Sequence, residues 1–381
     1  MRSPLELFNK LETPEGLADP FPVYAELREH GPVVDLGGEF MVATTYDAVD
    51  RVLRDPAFVV GEGGVFDVRS ILRSNPPDHT RVRRLMAGVF TPRRVNGLRA
   101  AVVGLTHDLI EAMRAKGNSA DIMADFAYRL PVNVICELLG VPEKDREWFR
   151  PVAHDATATL EGQITPEEFD SAVDASRLIR KYFEHLVTER RADPQDDLVS
   201  ALSNAEPGSL SDGELLSNLA LLLVAGFETT TSLFGNGLRI LFDDPSRMPG
   251  LLANPNDFVE EFLRLDSPVQ LTSRFANETV SVQGREVREG TYILALIGSA
   301  NRDPLRFRDP DSFDPLRPNN TPISFGAGAH FCLGAALARL EAQVAFPLLL
   351  QALPGLRPSG EPVRRRRLVL RGYESMPVAW N

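Results

Sequence analysis

Cys332 lies in the stretch Phe325-Gly-Ala-Gly-Ala-His330-Phe-Cys332-Leu-Gly334, and its surroundings suit an anionic sulfur. Gly326 and Gly328 free the backbone to take positive φ and to lie close against a flat partner that a Cβ would push away. From Leu333 onward, Ala336, Leu337, Leu340, Val344 and Leu348 recur at spacings of three and four. This periodicity predicts a helix that starts at once, with Cys332 at its entrance. There the first amide N–H groups and the positive end of the helix dipole favour thiolate over thiol. Zinc and iron–sulfur sites draw on several Cys or His ligands, and the one other cysteine, Cys136, lies far away in the apolar run Val132–Leu139. A single thiolate does serve as the axial ligand of haem iron. An inert buried cysteine behind a glycine loop is the alternative.

Three other clusters combine charge with position. Glu228, Thr229 and Thr230 interrupt the apolar run Leu219–Phe227, and mid-helix polar groups of this kind need a reason. Either Thr229 bonds back to the carbonyl of Ala225 while Glu228 finds an ion pair, or Ala225-Gly226 leaves room for a small ligand and the two polar residues line a groove beside it. His79 and Arg83 are four apart and share a helix face that could hold a carboxylate by charge-assisted hydrogen bonds; a solvated basic face is the bland reading. Glu261 and Arg264, three apart, are able to pair.

The elements that must carry these groups are mostly helical. A short helix at Val23–Glu29 is followed by a strand pair within Val33–Thr44 turning at Gly37-Gly38, then a helix over 46–54. Residues 56–77 read as a loop with buried-type side chains, including Phe66 and Ile71. Helical periodicity returns over 97–115, 122–139, 144–159 and 167–192, then from Ser211-Asp212 through a long, nearly all-apolar helix, and again over 257–265. Strands are expected through Val280–Val287, turning at Gly284, and through Tyr292–Ile297. The chain has 381 residues, 43% hydrophobic and 25% charged, with a formal net charge of −12, which suits a globular protein and argues against nucleic acid as partner. The run Arg364–Arg367 reads as a solvated face. Neither a signal peptide nor a membrane anchor is visible, and two distant cysteines suit a reducing compartment, so a cytoplasmic monomer is expected.

Position for position, Phe325-Gly-x-Gly-x-His330-x-Cys332-x-Gly334 resembles the haem-binding loop of the cytochrome P450 superfamily. Companion segments follow in the family's order. Ala225-Gly226-x-Glu228-Thr229 resembles its oxygen-activation helix, and Glu261-x-x-Arg264 with Arg317 resembles its buried structural cluster. His79 and Arg83, with Arg274, look like its propionate-binding residues. Asn75 stands where Asp is more usual.

The resemblance implies a mainly α-helical fold with small β-sheets at one side, a single catalytic domain over 1–381, and haem b. It further implies Cys332 as iron ligand, and His79, Arg83, Arg274 and His330 on the propionates, with Ala225, Phe325 and Gly326 against the cofactor. Glu228 and Thr229 would handle protons, and Phe66, Ile71, Leu223, Val269, Gln270, Leu271 and Tyr373 would meet substrate. Part of a lid over that pocket is expected at Glu161–Pro166. The implied activity is O₂- and NAD(P)H-dependent hydroxylation or epoxidation of a small hydrophobic secondary metabolite such as a polyketide, macrolide, terpenoid or peptide. Electrons would come from a ferredoxin and its reductase, docking on a patch with Arg81 and Arg84. A peroxygenase driven by H₂O₂ and a non-catalytic haem sensor are the alternatives.

Overall fold

The computed structural model describes residues 2–61, 69–158, 161, 164–206 and 208–381. About 57% of the chain is helical, and the sheets are small, so the fold is mainly α. The chain divides into two compact units whose segments interleave: Met1–Gly61, Asn256–Cys332 and Arg364–Gly372 form one, and Glu62–Pro255, Leu333–Val363 and Tyr373–Asn381 the other.

The first unit is built on a five-stranded mixed sheet. Val33–Gly37 and Phe40–Ala43 pair as the expected hairpin, with Gly37 and Gly38 at positive φ. Phe40–Ala43 then pairs in parallel with Tyr292–Ala295, a neighbour some 250 residues on that no local pattern announces. Thr272–Ala276 and Phe58–Val59 complete the sheet. On one side pack Leu7, Leu11, Tyr24 and Leu27 from N-terminal helices, and on the other Val49, Val52 and Leu53 from helix Tyr46–Arg54. Val280–Val282 and Arg285–Val287 form the hairpin at Gly284, and Tyr292–Ala295 gives way to a short helix, Ile297–Ala300.

Within this unit Glu261 and Arg264 are completely enclosed. Arg264 clasps Glu261 through Nε at 2.8 Å and Nη2 at 2.7 Å, and its guanidinium also donates to the carbonyls of Asn301, Pro310 and Ser312. Arg317 Nε stands 3.6 Å from the same carboxylate. The Arg364–Arg367 run is only partly a solvated face: Arg365 is buried and Arg364 lies 3.8 Å from Asp266, although Arg366 is exposed.

The second unit is helical, around the helix Asp212–Asp243. Ser211 and Glu214 cap its start reciprocally, and it then runs 32 residues as uninterrupted α-helix. By length and composition it could cross a bilayer, but 78% of its apolar window is buried inside the protein. Glycines set how closely its neighbours approach. A Cβ on Gly226 would come within 3.1 Å of Ile135 on helix Arg129–Leu139, and one on Gly235 within 3.1 Å of Met123. The periodic segment 122–139 is not one α-helix: Met123–Ala127 forms a π-turn first. Helix Asp78–Val89 is fastened to the long helix by Arg81, which donates to Glu214 and to the Ser209 carbonyl.

Two outcomes follow. Arg264→Ala strips a buried carboxylate of its main partner and is expected to cost about 3–5 kcal/mol in urea unfolding, whereas Arg177→Ala, in an exposed pair with Asp174, costs less than about 1 kcal/mol. The hydrogen bond from Arg81 pulls the Glu214 carboxyl down to about 2. A carboxyl depressed on folding stabilises the protein above the ordinary carboxylate pKa, about 4.3, and that contribution fades as pH falls toward 2. Acid titration of the unfolding free energy of Arg81→Gln is therefore expected to show a shallower fall across this window than the parent.

Candidate active site

In the first unit the glycine loop is wound by its own amides. Gly326 N–H donates to Ile323 O at 2.8 Å, Phe331 N–H to Gly328 O at 3.1 Å, and Cys332 N–H to Phe325 O at 2.9 Å. Gly326 and Gly328 take φ of +70° and +67°, which L side chains rarely adopt. At Gly328 close approach is a second reason, because a Cβ there would sit 2.4 Å from the carbonyl of Leu53. The Cβ direction at Gly326 is open, with His330 O at 4.0 Å the nearest atom. The loop thus presents an exposed thiol at Cys332 and half-buried Phe325 and His330. Its approach is pinned by Asn301, which accepts from Ile323 N–H at 2.8 Å and donates to Ser267 and Ser324, each at 2.8 Å. One expectation needs adjusting: the helix begins at Ala335 with Gly334 as its cap, so Cys332 precedes the first helical residue by three positions.

Arg274 lies in the same unit on strand Thr272–Ala276 and is 6% exposed. Its Nη1 donates to Ser273 O at 2.7 Å and to Thr272 Oγ1 at 3.4 Å, and no carboxylate pairs with it among the described residues. Burial alone pushes its guanidinium down to about 10. A buried cation held only by neutral acceptors is matched to an anion. The donor set therefore fits haem: one exposed sulfur as a single axial donor, a loop surface with no side chain at Gly326, and a buried guanidinium suited to a propionate.

Three expected substrate residues belong to this unit. Gln270 is 1% exposed, and its Nε2 donates to Ser267 O at 2.7 Å. Leu271 packs in the cluster that includes Leu7, Tyr24 and Val34, and Val269 is half-buried and bridges Leu370. Gln270 and Leu271 are thus both buried in this unit, Gln270 with its amide on Ser267 and Leu271 among apolar side chains.

In the second unit, Ala225 is exposed and Thr229 half-buried, one turn apart on a helix buried almost throughout from Leu215 to Leu241. Thr229 Oγ1 donates to Ala225 O at 3.1 Å, and Thr230 Oγ1 to Gly226 O at 3.2 Å. Both bonds are the ordinary way a mid-helix hydroxyl is satisfied, and they leave each hydroxyl oxygen able to accept. Gly226 makes room for Ile135 rather than for a ligand, so the small side chain on the open strip is Ala225 alone. Glu228 is 1% exposed, with Oε2 4.0 Å from His154 Nδ1 on helix Glu143–Thr157, a neighbour that sequence spacing does not reveal. His79 is buried and Arg83 half-buried on helix Asp78–Val89, one turn apart.

Of the remaining expected residues, Leu223 is fully buried, and Ile71 is buried with its N–H on Asn218 Oδ1 at 2.9 Å. Tyr373 is 3% exposed and packs toward Gly235, with its Cδ2 3.2 Å from where a Cβ would stand there. Phe66 lies outside the described residues, as do Gly162 and Gln163 of the expected lid. Cys136 is buried, and desolvation pushes its thiol up to about 12, as befits an inert core residue.

Comparison with known proteins agrees with this chemistry. The family model Cytochrome P450 matches residues 255–363, the span from the Glu261 helix through the Cys332 loop. The chain is 39% identical to mycinamicin IV hydroxylase/epoxidase of Micromonospora griseorubida, covering 94% of each chain. It is 38% identical to cytochrome P450 monooxygenase PikC of Streptomyces venezuelae, over 95% of this chain and 91% of that protein. Among solved structures, P450BioI in complex with a hexadec-9Z-enoic acid-ligated acyl carrier protein superposes with a TM-score of 0.91 at 33% identity, covering 96% of this chain and all of that one. The chain therefore belongs to the cytochrome P450 family, and it is a haem b-dependent monooxygenase.

Proposed function

We propose that this monooxygenase hydroxylates or epoxidises a large, mainly apolar secondary metabolite of the macrolide type. The observation that carries this reading is the end-to-end similarity to a relative named for hydroxylation and epoxidation of mycinamicin IV. The apolar character of Leu223 and Ile71 is compatible with such a ligand. A panel of macrolide aglycones and glycosides tests it: at least one member is expected to shift the haem spin state and to gain a single oxygen atom in turnover. Binding and turnover confined to unrelated ligands such as fatty acids would overturn it.

The proposed division of roles follows the chemistry of each side chain. Cys332 supplies the axial sulfur, with Phe325, Gly326 and Ala225 against the macrocycle. Arg274, His330, His79 and Arg83 neutralise the propionates by charge-assisted hydrogen bonds. The bound haem supplies the oxygen chemistry, and the protein supplies ligand, orientation and protons. Glu228 is the buried acid that stores a proton, and the Thr229 hydroxyl accepts or donates a hydrogen bond on the open strip of the helix. All of 1–381 is taken as one catalytic domain, since relatives of similar length match it from end to end. A cytoplasmic setting suits a chain whose two cysteines stand far apart in the sequence.

Electrons reach enzymes of this family from redox partner proteins. We take the partner to be a ferredoxin with its NAD(P)H-dependent reductase. Supporting this, residues 79–107 carry Arg81, Arg83, Arg84, Arg93, Arg94 and Arg99 and no Asp or Glu, in a chain of net charge −12. Arg81 is committed to Glu214 and Asp78, so the exposed Arg84, Arg93 and Arg99 are the better candidates for an acidic partner.

The double variant Arg84→Glu/Arg93→Glu is expected to keep its haem and substrate spin shift but to slow reduction by an acidic ferredoxin, most at low salt. Unchanged reduction at every ionic strength would remove this surface from the docking site. Thr229→Ala is expected to bind haem and consume NAD(P)H normally while diverting most reducing equivalents to H₂O₂. Tight coupling of consumption to product in that variant would refute the role given to the hydroxyl.

A further inference from the structure

Among the described residues, an imidazole stands between the acid of the long helix and water. Glu228 is 1% exposed, whereas the His154 side chain is 52% exposed, and Nδ1 lies 4.0 Å from Oε2. The contact therefore joins a fully buried carboxylate to a group that water reaches, as a conduit requires. The imidazole is also held in place. The Tyr128 ring meets it edge-on, with centroids 6.4 Å apart and planes at 78°. Tyr128 directly follows the π-turn Met123–Ala127, a geometry that is uncommon and often functional. That turn is anchored to the long helix three residues beyond Glu228, where Thr231 Oγ1 donates to Ala127 O at 3.0 Å. Ionisable groups nearby on these elements are matched among themselves: Arg129 with Glu147 at 3.1 Å, Arg146 with Glu137 at 2.5 Å, and Tyr182 O–H with Asp145 at 2.8 Å, while Asp155 is exposed. None of these pairs includes the His154–Glu228 contact.

We propose that His154 is a positioning residue that holds the Glu228 carboxylate and hands it protons from solvent. This rests on the reading of Glu228 as the proton-storing acid. A proton from water or buffer binds Nε2 of the Nδ1–H imidazole. The Nδ1 proton then moves to Oε2 as a small rotamer change or one bridging water closes the 4.0 Å gap, leaving a neutral carboxylic acid and an Nε2–H imidazole. Release of the carboxyl proton inward restores the carboxylate, and exchange with water, which protonates Nδ1 and takes the proton from Nε2, restores the first tautomer. One proton is moved and no electron changes hands.

The test uses the full-length, haem-loaded enzyme with His154→Gln, His154→Lys, Glu228→Gln and the double variant His154→Gln/Glu228→Gln. Because His154 is half in solvent, these changes leave the core intact. His154→Gln is expected to lower kcat on the order of tenfold, below the hundredfold at which direct proton donors begin, with a larger solvent deuterium isotope effect and more H₂O₂ per NAD(P)H. Adding it to Glu228→Gln is expected to change nothing further, and His154→Lys to recover part of the loss.

A second measurement does not depend on turnover. In the diamagnetic ferrous carbon monoxide form, the ring ¹⁵N resonances of His154 are expected to change in Glu228→Ala. Unmoved resonances, or losses that add in the double variant, would overturn the proposal. If Glu228→Gln uncouples the enzyme and His154→Gln does not, the proposal alone falls. If Glu228→Gln stays fully coupled, the assignment of the acid falls with it.

Discussion

A buried carboxylate dictates the path of the chain toward its reactive sulfur. Glu261 has no solvent access, and an enclosed carboxylate is tolerated only when its lone pairs are met by donors of good geometry. Arg264 fills two positions, Asp314 N–H a third at 2.8 Å and Asn320 Nδ2 a fourth at 3.0 Å, with Arg317 alongside. Residues 308–320 form no helix or strand, so these bonds, together with those of Arg264 and Arg317 to carbonyls, are what define their course. The next step is equally polar and equally buried: Asn301, Ser267 and Ser324 close a small network that fixes Ile323 and Ser324 just before the glycine loop. An exposed thiol is thereby positioned by groups that never touch it.

The second unit solves a different problem, which is to carry polar chemistry on a helix that must also be core. Glycines at 226 and 235 let neighbouring elements lie against the helix, and the resulting contact helps offset their poor helix propensity. Threonines 229 and 230 satisfy their hydroxyls one turn back, and Thr231 reaches across to the π-turn. These three hydroxyls therefore have a structural use as well as any chemical one. The back-bonding of Thr229 is compatible with the functional reading of this segment, because a hydroxyl that donates to a carbonyl keeps its lone pairs for another partner.

What could be read from residues alone was whatever is written in local periodicity and capping. The start of the long helix at Ser211-x-x-Glu214, the hairpins at Gly37-Gly38 and Gly284, and the positive φ of the cysteine loop all depend on neighbours in the chain. The same capping signature, Ser3-x-x-Glu6, opens the N-terminal helix Pro4–Lys10. Other features depend on residues far apart in sequence: the parallel pairing of Phe40–Ala43 with Tyr292–Ala295, the role of Gly226 toward Ile135, and the burial of Gln270 and Leu271. The His154–Glu228 contact spans two helices, and no spacing rule could supply it. Motif resemblance names the candidate reactive groups; tertiary packing decides what surrounds them.

The central claim is a sulfur anion from position 332 on haem iron, and the optical spectrum of the reduced carbon monoxide adduct tests it most directly. The purified protein is expected to show the strongly red-shifted Soret band of thiolate ligation, and Cys332→Ser to lose that band while keeping the helical circular dichroism of the parent. A wild-type adduct with the band of histidine-ligated haem, or a thiolate band that survives in Cys332→Ser, would contradict the account.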